Sequence, residues 1–313
     1  MRAFVVDTAT RTGRLAELPV PVAGAGELLV RVLACALCRT DLHILDGELA
    51  APRAHVVPGH QIVGEVVGDG RRVCIAWLAS ACGVCPACTS GHENLCPYAR
   101  FTGLDRDGGF ADYVTVDERF ALPCPPGRTP EAIAPLLCAG AIGGRTLGLA
   151  GAAERLGIYG FGAAAHLVTQ LARAQGRRVL AFTRPGDAAR QAFARSLGVV
   201  WAGGTDERPP EPLDAAILFA PAGELVPRAL AAVAPGGTVV CAEIHMSDIP
   251  SFPYALLWGE RVLRSVANVT RRDVADVLAL AARAEVTTYP LAEVARAFDD
   301  LRSGRLRGSA VIV

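Results

Sequence analysis

The chain has 313 residues, 51% of them hydrophobic, and its 31 basic and 31 acidic side chains cancel. This length suits two domains, and this composition excludes a disordered chain. The balanced charge gives no reason to expect nucleic acid or an anionic membrane surface as a partner. Because the N-terminal residues lack a signal-peptide pattern and no apolar run could span a bilayer, we expect a cytoplasmic protein that acts on a small molecule.

The first part of the chain, up to about residue 125, predicts a β-rich domain. Apolar runs such as 27–32 and 61–68 are typical of strands, and Gly and Pro turns separate them. Helical periodicity is weak throughout this part. A barrel-like arrangement of short strands is therefore expected.

From about residue 150, short apolar strands alternate with helical stretches rich in Ala and Arg, which indicates βαβ units and a parallel sheet. After residue 268 the pattern predicts helices at 273–283 and 291–302 and extended segments at 286–290 and 310–313. This tail is too small to fold alone, so we expect it to complete the N-terminal domain. The strands predicted for the second domain are 156–159, 178–183, 199–202, 215–219 and 237–242.

Four cysteines lie within 15 residues: Cys82, Cys85, Cys88 and Cys96. A tight loop with this spacing can close a tetrahedral shell of four thiolates. An iron–sulfur cluster is the main alternative, but in the bacterial ferredoxin pattern the fourth Cys follows after three residues and precedes Pro. The spacing therefore favours a structural zinc ion with no open coordination position.

A glycine-rich turn joins the predicted strand 156–159 to the helical stretch 167–174. Gly160 permits the tight turn, Gly162 lets the backbone approach a pyrophosphate, and Ala165 stands where the third glycine of the dinucleotide fingerprint allows close helix packing. The free N–H groups of the helix N-terminus favour a phosphate. A flexible loop is the alternative, but the flanking strands favour dinucleotide binding.

Five segments together carry a family resemblance: 38–43 (CRTDLH), 58–65 (PGHQIVGE), the cysteine loop 82–96, 136–140 (LLCAG) and the glycine turn 160–165. With these motifs the whole chain resembles the zinc-containing medium-chain alcohol dehydrogenases. The resemblance implies an α/β protein with a GroES-like β-rich catalytic domain and a Rossmann domain that contains a doubly wound parallel sheet. The implied boundaries are 1–140, completed by 269–313, for the zinc-binding domain and 141–268 for the dinucleotide-binding domain.

The resemblance implies that Cys38, His60 and Cys138 form the family's Cys₂His catalytic zinc site, whose fourth position is open to water or an alcohol. Bound zinc lowers the pKa of the alcohol, so that a zinc-bound alkoxide forms and releases hydride to NAD(P), giving an aldehyde or a ketone. Thr40 matches the hydroxyl that hydrogen-bonds the alcohol, and His43 matches the outer end of a proton relay through the cofactor ribose. Two zinc ions per chain are therefore expected.

Two neighbours of Cys38 have two interpretations each. Asp41 can accept a hydrogen bond from the second ring nitrogen of His60, or it can cap a turn. Arg39 suits a pyrophosphate contact, or it is a solvated surface charge.

The sequence departs from the family at two places. Gln61 stands directly after the His ligand, where the family has a Glu that in some structures displaces a ligand transiently. After Cys138 the run 141–145 (AIGGR) replaces the usual Thr and Tyr, so the nicotinamide contacts of those residues do not carry over. A non-catalytic redox sensor that binds zinc and NADPH on the same fold is the alternative function, but the intact ligands and Thr40 favour the enzyme.

The cofactor preference is predicted from the end of the strand at 178–183. NAD enzymes carry an acidic residue about 20 positions after the glycine turn, but here that position is Thr183 and no acid appears before Asp187. Thr183 and Arg184 could bind a 2′-phosphate, and the Thr-Arg-Pro run resembles the Ser-Arg-Pro of NADP-linked family members. NADP is therefore expected to be preferred, and NAD remains possible.

The expected partners are a small alcohol or aldehyde substrate and a second copy of the chain, as a homodimer or homotetramer, without nucleic acid or membrane. Bulky apolar residues that could line the substrate pocket are Trp77, Phe110 and Trp258.

Overall fold

The structure, a computed structural model, describes residues 1–280 and 282–313. The chain divides into two compact units, Met1–Ala141 with Asn268–Val313, and Ile142–Ala267. Helix α4 (Ala139–Leu149) runs across the boundary between them in sequence.

The first unit is rich in short strands. Its helices are α1 (Arg39–Leu45), α2 (Pro86–Thr89), α3 (Pro130–Ile133), α8 (Arg271–Leu278) and α9 (Val294–Arg302), with 3-10 turns at Glu93–Leu95, Glu118–Phe120, Ala134–Leu137 and Leu291–Glu293. Its strands are β1 (Arg2–Asp7), β2 (Thr12–Glu17), β3 (Glu27–Ala36), β4 (His55–Val56), β5 (Gln61–Val66), β6 (Arg72–Ile75), β7 (Leu78–Ser80), β8 (Arg100–Phe101), β9 (Tyr113–Asp117), β10 (Ala121–Pro123), β17 (Val286–Tyr289) and β18 (Ser309–Ile312).

The main sheet of this unit has the order β10-β6-β5-β3-β18-β17, and β9 also pairs with β3. Strand β5 lies in the middle, and both faces are largely buried because its Ile and Val side chains pack on each side. The C-terminal strand β18 pairs antiparallel with β3, so that Ile312 lies opposite Cys35. The C-terminal segment therefore shares a sheet with the strand that leads to Cys38.

The second unit contains one parallel sheet with the order β13-β12-β11-β14-β15-β16. Helices follow three of its strands, as expected for βαβ units. This is the strand order of a doubly wound dinucleotide-binding fold, and the predicted Rossmann architecture is confirmed. The elements are β11 (Arg155–Tyr159), α5 (Ala163–Ala174), β12 (Arg178–Thr183), α6 (Ala188–Ser196), β13 (Trp201–Gly204), β14 (Leu213–Leu218), α7 (Leu225–Ala232), β15 (Val233–Cys241), a 3-10 turn (Tyr254–Leu256) and β16 (Val262–Ser265).

Some elements differ from their predicted bounds. The helix expected at 273–283 is α8, which begins two residues earlier and ends at Leu278; position 281 lies outside the described residues. Its start is set by Thr270, which accepts a hydrogen bond from the Asp273 N–H while the Asp273 carboxylate bonds back to Thr270. Helix α1 was not expected within the β-rich part, because its seven residues are too few to show periodicity.

In the described part of the chain, no single helix is both long and apolar enough to cross a bilayer. The consecutive helical segments Pro130–Leu137 and Ala139–Leu149 together are long and apolar enough, but they are bent by 42°.

Candidate metal and cofactor sites

Three side chains from distant parts of the first unit meet in one cluster: Cys38, His60 and Cys138. Each lies next to a regular element, since Cys38 precedes α1, His60 precedes β5 and Cys138 precedes α4. Their potential ligand atoms all lie within 4.8 Å of one another, and the two sulfur atoms are 4.0 Å apart. Two sulfurs bound at about 2.3 Å to one tetrahedral zinc ion would be separated by about 3.8 Å. The cluster therefore has the dimensions of a zinc site.

The carboxylate of Asp41 joins two of these ligands and is completely buried. Its Oδ1 accepts hydrogen bonds from His60 Nδ1 and from the Gly59 N–H, each at 3.0 Å. Its Oδ2 accepts from the Cys38 N–H at 2.8 Å. Both interpretations of Asp41 from the sequence are thus correct, because it orients His60 and also caps the start of α1.

The other nitrogen of His60, Nε2, is buried and makes no hydrogen bond to the described residues. Burial lowers the pKa of His60, but the Asp41 carboxylate and the Cys38 sulfur raise it more, to about 10. Hydrogen bonding with Cys138 holds the pKa of Cys38 well below its ordinary value despite burial, and His60 contributes to the same shift. The Cys38 thiolate is the form that binds a metal ion, and a metal ion at His60 Nε2 would take the place of the proton that the raised pKa of this ring keeps there.

Thr40 and His43 lie on the helix that Cys38 begins. The Thr40 hydroxyl is 3.6 Å from the Cys38 sulfur. His43 is 5% exposed, and its Nδ1 lies 2.5 Å from Oε2 of Glu48. Glu48 was missed by the sequence analysis, since an exposed acid five residues after a His has no motif. Arg39 is exposed on the first turn of the same helix.

The four cysteines of the loop also come together, with their sulfur atoms within 4.8 Å of one another. The N–H groups of Val84 and Cys85 lower the pKa of Cys82 to about 6, and burial raises that of Cys88 to about 12. The Cys96 sulfur accepts bonds from the Cys82 and Tyr98 N–H groups at 3.4 Å. Four converging sulfurs with N–H support suit a closed tetrahedral metal site.

An ion pair ties this loop to helix α8. Glu93, within the loop, accepts from Arg271 Nη2 at 2.6 Å, from Nε at 3.0 Å and from the Arg271 backbone N–H at 2.9 Å. Burial raises the pKa of Glu93, but the bonds from Arg271 lower it more, so that it lies below its ordinary value. No sequence pattern indicates this contact, because 178 residues separate the two partners.

The glycine turn of the second unit has the expected geometry. Gly160 has φ +85°, and a Cβ there would lie 3.0 Å from the Ala220 nitrogen and Cβ. Gly162 is the N-cap of α5, and among the described residues no heavy atom other than those of Gly162 and its chain neighbours lies within 4 Å of the position where its Cβ would be. Ala165 is completely buried. The turn therefore leaves open space in front of a helix N-terminus, which suits a phosphate.

Thr183 ends strand β12, Arg184 follows it, and the two side chains lie in different environments. Thr183 is 1% exposed; its hydroxyl lies 3.1 Å from the Arg184 carbonyl and accepts from Gln191 at 3.3 Å. Arg184 is exposed. Arg190 of α6 donates to the Phe161 carbonyl in the glycine turn at 3.0 Å, a contact that no sequence pattern indicated.

Of the three bulky residues considered for the substrate pocket, one lies beside His60, one lies in the core and one is exposed. The rings of Trp77 and His60 pack edge to face with their centroids 4.9 Å apart. The Nε1 of Trp77 donates a hydrogen bond to Oδ1 of Asn268. Phe110 is completely buried and packs against Phe298, so it belongs to the core. Trp258 is 67% exposed.

Known proteins resemble the chain over part or all of its length. Residues 24–126 match the family described as "Alcohol dehydrogenase GroES-like domain". A relative from Mycobacterium tuberculosis, "Probable alcohol dehydrogenase AdhA", is 47% identical over 94% of this chain and 90% of its own length. An alcohol dehydrogenase from Geobacillus stearothermophilus is 32% identical over 100% of this chain and 98% of its own length.

A solved structure shows the same fold. The cobalt- and zinc-bound thermostable alcohol dehydrogenase from Pyrobaculum aerophilum superposes with a TM-score of 0.91 and 23% identity, covering 100% of this chain and 99% of that one. The relatives support an oxidoreductase that acts on small-molecule alcohols. From its motifs, its fold and these relatives, the chain belongs to the zinc-containing medium-chain alcohol dehydrogenase family.

Proposed function

We propose that this chain is a zinc-dependent alcohol dehydrogenase that transfers hydride reversibly between an alcohol and NADP. The observation that carries the proposal is the cluster of Cys38, His60 and Cys138, whose ligand atoms lie within 4.8 Å of one another. One nitrogen of His60 is bonded to Asp41 and the other makes no hydrogen bond to the described residues. This is the arrangement expected of a metal-binding imidazole.

Cys38, His60 and Cys138 would hold the catalytic zinc ion and leave one position open. A zinc ion bound there supplies a Lewis acid that polarises the oxygen of an alcohol or carbonyl substrate. Zinc also suits the donor set, since two thiolates and one imidazole are ligands that it prefers. The structural neighbour from Pyrobaculum aerophilum, which has the same fold, is an alcohol dehydrogenase bound to cobalt and zinc.

The chain's own side chains would move the proton. The Thr40 hydroxyl, 3.6 Å from the Cys38 sulfur, would accept a hydrogen bond from a substrate hydroxyl. His43 would receive the proton at the far end of a relay through the cofactor ribose. The Glu48 carboxylate, 2.5 Å from His43 Nδ1, would hold the imidazole in one orientation for that transfer.

The second unit, Ile142–Ala267, corresponds to the expected domain 141–268 and would bind the dinucleotide, and the first unit would be the catalytic domain. Gly160, Gly162 and Ala165 shape the turn in front of α5, where the helix N-terminus attracts the pyrophosphate. Arg39 is proposed to contact the same pyrophosphate. For the adenosine 2′-phosphate, the exposed Arg184 offers a planar cationic group. The Thr183 hydroxyl is buried and already hydrogen-bonded, so Arg184 would provide most of the 2′-phosphate recognition, and NAD is the weaker alternative.

A second zinc ion would occupy the loop of four cysteines. Since all four positions are filled by sulfur, this ion has no open site and serves to stabilise the fold of the loop. Two zinc ions per chain are therefore proposed, together with a homodimeric or homotetrameric assembly.

Steady-state assays that follow cofactor absorbance test this function. A panel of aliphatic, aromatic and secondary alcohols should reveal NADP reduction, which chelation abolishes and added zinc restores. A protein that binds two zinc ions and NADPH but oxidises none of these alcohols, and reduces none of the matching aldehydes, would instead be a non-catalytic redox sensor.

A further inference from the structure

Gln61 directly follows the proposed ligand His60 and is only 2% exposed. Its side-chain Nε2 donates to the carbonyl oxygen of Ala36 at 3.1 Å. Its Oε1 accepts from the N–H of Ala139 at 3.5 Å. The amide is thus engaged on both sides in the interior of the first unit.

Both backbone partners adjoin the other two ligands. Ala36 ends β3, two residues before Cys38, and Ala139 directly follows Cys138 and begins α4. Since Gln61 is covalently bonded to His60, one side chain connects the three chain segments that carry the three ligands. These segments are separated by up to 100 residues in sequence.

An amide of this length can make both contacts at any pH. Glutamine has a donor and an acceptor on the same terminal group, whereas an ionised glutamate can only accept. A carboxylate at position 61 could still accept the hydrogen bond from the Ala139 N–H. Its second oxygen, however, would face the Ala36 carbonyl oxygen, and the two would repel each other. Leucine has a similar size and would lose both bonds.

We propose that Gln61 is a positioning residue that holds the three ligand-bearing segments together and thereby slows the loss of the catalytic metal ion. The proposal rests on the proposed zinc site. It also reverses the role expected for a carboxylate at this position: Gln61 supplies no negatively charged ligand for exchange, and it holds the existing ligands in place instead.

Metal release measures this role without an activity assay. The chain is loaded with Co²⁺ as the spectroscopic probe, and its ligand-field and sulfur charge-transfer bands are followed after addition of excess chelator. Gln61→Leu and the isosteric Gln61→Glu are compared with the wild-type chain. Cobalt in the four-cysteine loop serves as an internal reference, because its all-sulfur spectrum differs from that of a Cys₂His site.

We expect both variants to release cobalt from the Cys₂His site about 10-fold faster or more, which is the scale of effects for residues that support metal ligands. The four-cysteine site should release cobalt at the wild-type rate. A control is Thr102→Val, which removes another buried bond of the same unit, from the Thr102 hydroxyl to the Ala76 carbonyl at 2.9 Å, and should leave both rates unchanged.

Three results would overturn the role of Gln61: wild-type release rates in both variants, equal acceleration at both metal sites, or a wild-type rate in Gln61→Glu alone at every pH tested. The last result would show that the donated bond is unnecessary, because a protonated carboxyl keeps this bond and an ionised one loses it. If Gln61→Leu does not fold, Gln61→Glu decides the matter. A wild-type chain that binds cobalt only in the four-sulfur site would instead refute the proposed catalytic zinc site.

Discussion

Oδ1 of Asp41 lies 3.0 Å from Nδ1 of His60, and both side chains are almost completely excluded from solvent. When a metal ion displaces the Nε2 proton, the carboxylate keeps the remaining proton on Nδ1, so that Nε2 can bind the ion. Because the same carboxylate accepts from the Cys38 N–H, it couples the positions of two proposed ligands.

Asp41→Asn should weaken zinc binding at the Cys₂His site by about 10-fold to 100-fold. The amide loses the negative charge and places N–H groups where the Cys38 N–H now donates. Zinc content after dialysis against buffered zinc measures the effect, and circular dichroism checks that the fold is kept. Unchanged zinc affinity would show that Asp41 only caps helix α1.

Cys138→Ser and Cys88→Ser should each remove one of two zinc ions, with different consequences. Cys138→Ser should abolish alcohol oxidation while the protein stays folded, since an open catalytic site contributes little to the structure around it. Cys88→Ser should chiefly lower the melting temperature, because a closed structural site contributes directly to folding. Metal analysis, activity and thermal melting of both variants check this, and the reverse pattern would mean that the two roles are exchanged.

Arg184→Ala should lower kcat/KM for NADP by about 10-fold or more, as expected for the loss of a charged hydrogen bond worth about 1.5–3 kcal/mol. The value for NAD should change far less, since NAD has no 2′-phosphate. Steady-state kinetics with each cofactor at one alcohol concentration measure the difference.

Arg178→Ala is the control, because Arg178 lies at the other end of the same strand and pairs with Glu211. It should leave the cofactor preference unchanged. A wild-type kcat/KM for NAD equal to or above that for NADP would contradict the proposed preference.

Arg271→Gln should lower the free energy of unfolding by about 1 kcal/mol at neutral pH, because the ion pair with Glu93 is partly exposed and therefore partly screened. Arg271 lowers the pKa of Glu93 in the folded chain below 4.5, its value in the unfolded chain. The ion pair therefore stabilises the fold fully above pH 4.5, and this stabilisation is lost as pH falls through the folded-state pKa. The difference between wild type and variant should therefore shrink below about pH 4.5.

Denaturant unfolding at several pH values measures this difference. Arg272→Gln is the matched control, because it makes the same change in an ion pair that is well exposed. The Arg272 side chain is 90% exposed, and its Nε lies 3.8 Å from Oδ2 of Asp276. A difference that stays constant down to pH 3 or a similar loss in Arg272→Gln would show that the Glu93 pair does not stabilise the loop.

The sequence by itself was sufficient for features whose parts lie close together along the chain. The four-cysteine loop spans 15 residues, and the glycine turn with its flanking strand and helix spans about 20. In such segments the spacing of residues limits the backbone conformation directly. The alternation of strands and helices after residue 150 likewise predicted the parallel sheet that the second unit contains.

For the three-ligand cluster the sequence alone offered only a family resemblance, because Cys38 and Cys138 are 100 residues apart. The contacts around the cluster were decided by tertiary structure. Strand pairing sets Gln61 opposite Ala36, the turn after α1 returns Glu48 to His43, and 178 residues separate Arg271 from Glu93. Each of these side chains has many possible hydrogen-bond partners in an unfolded chain, and only the packing of strands and helices selects one.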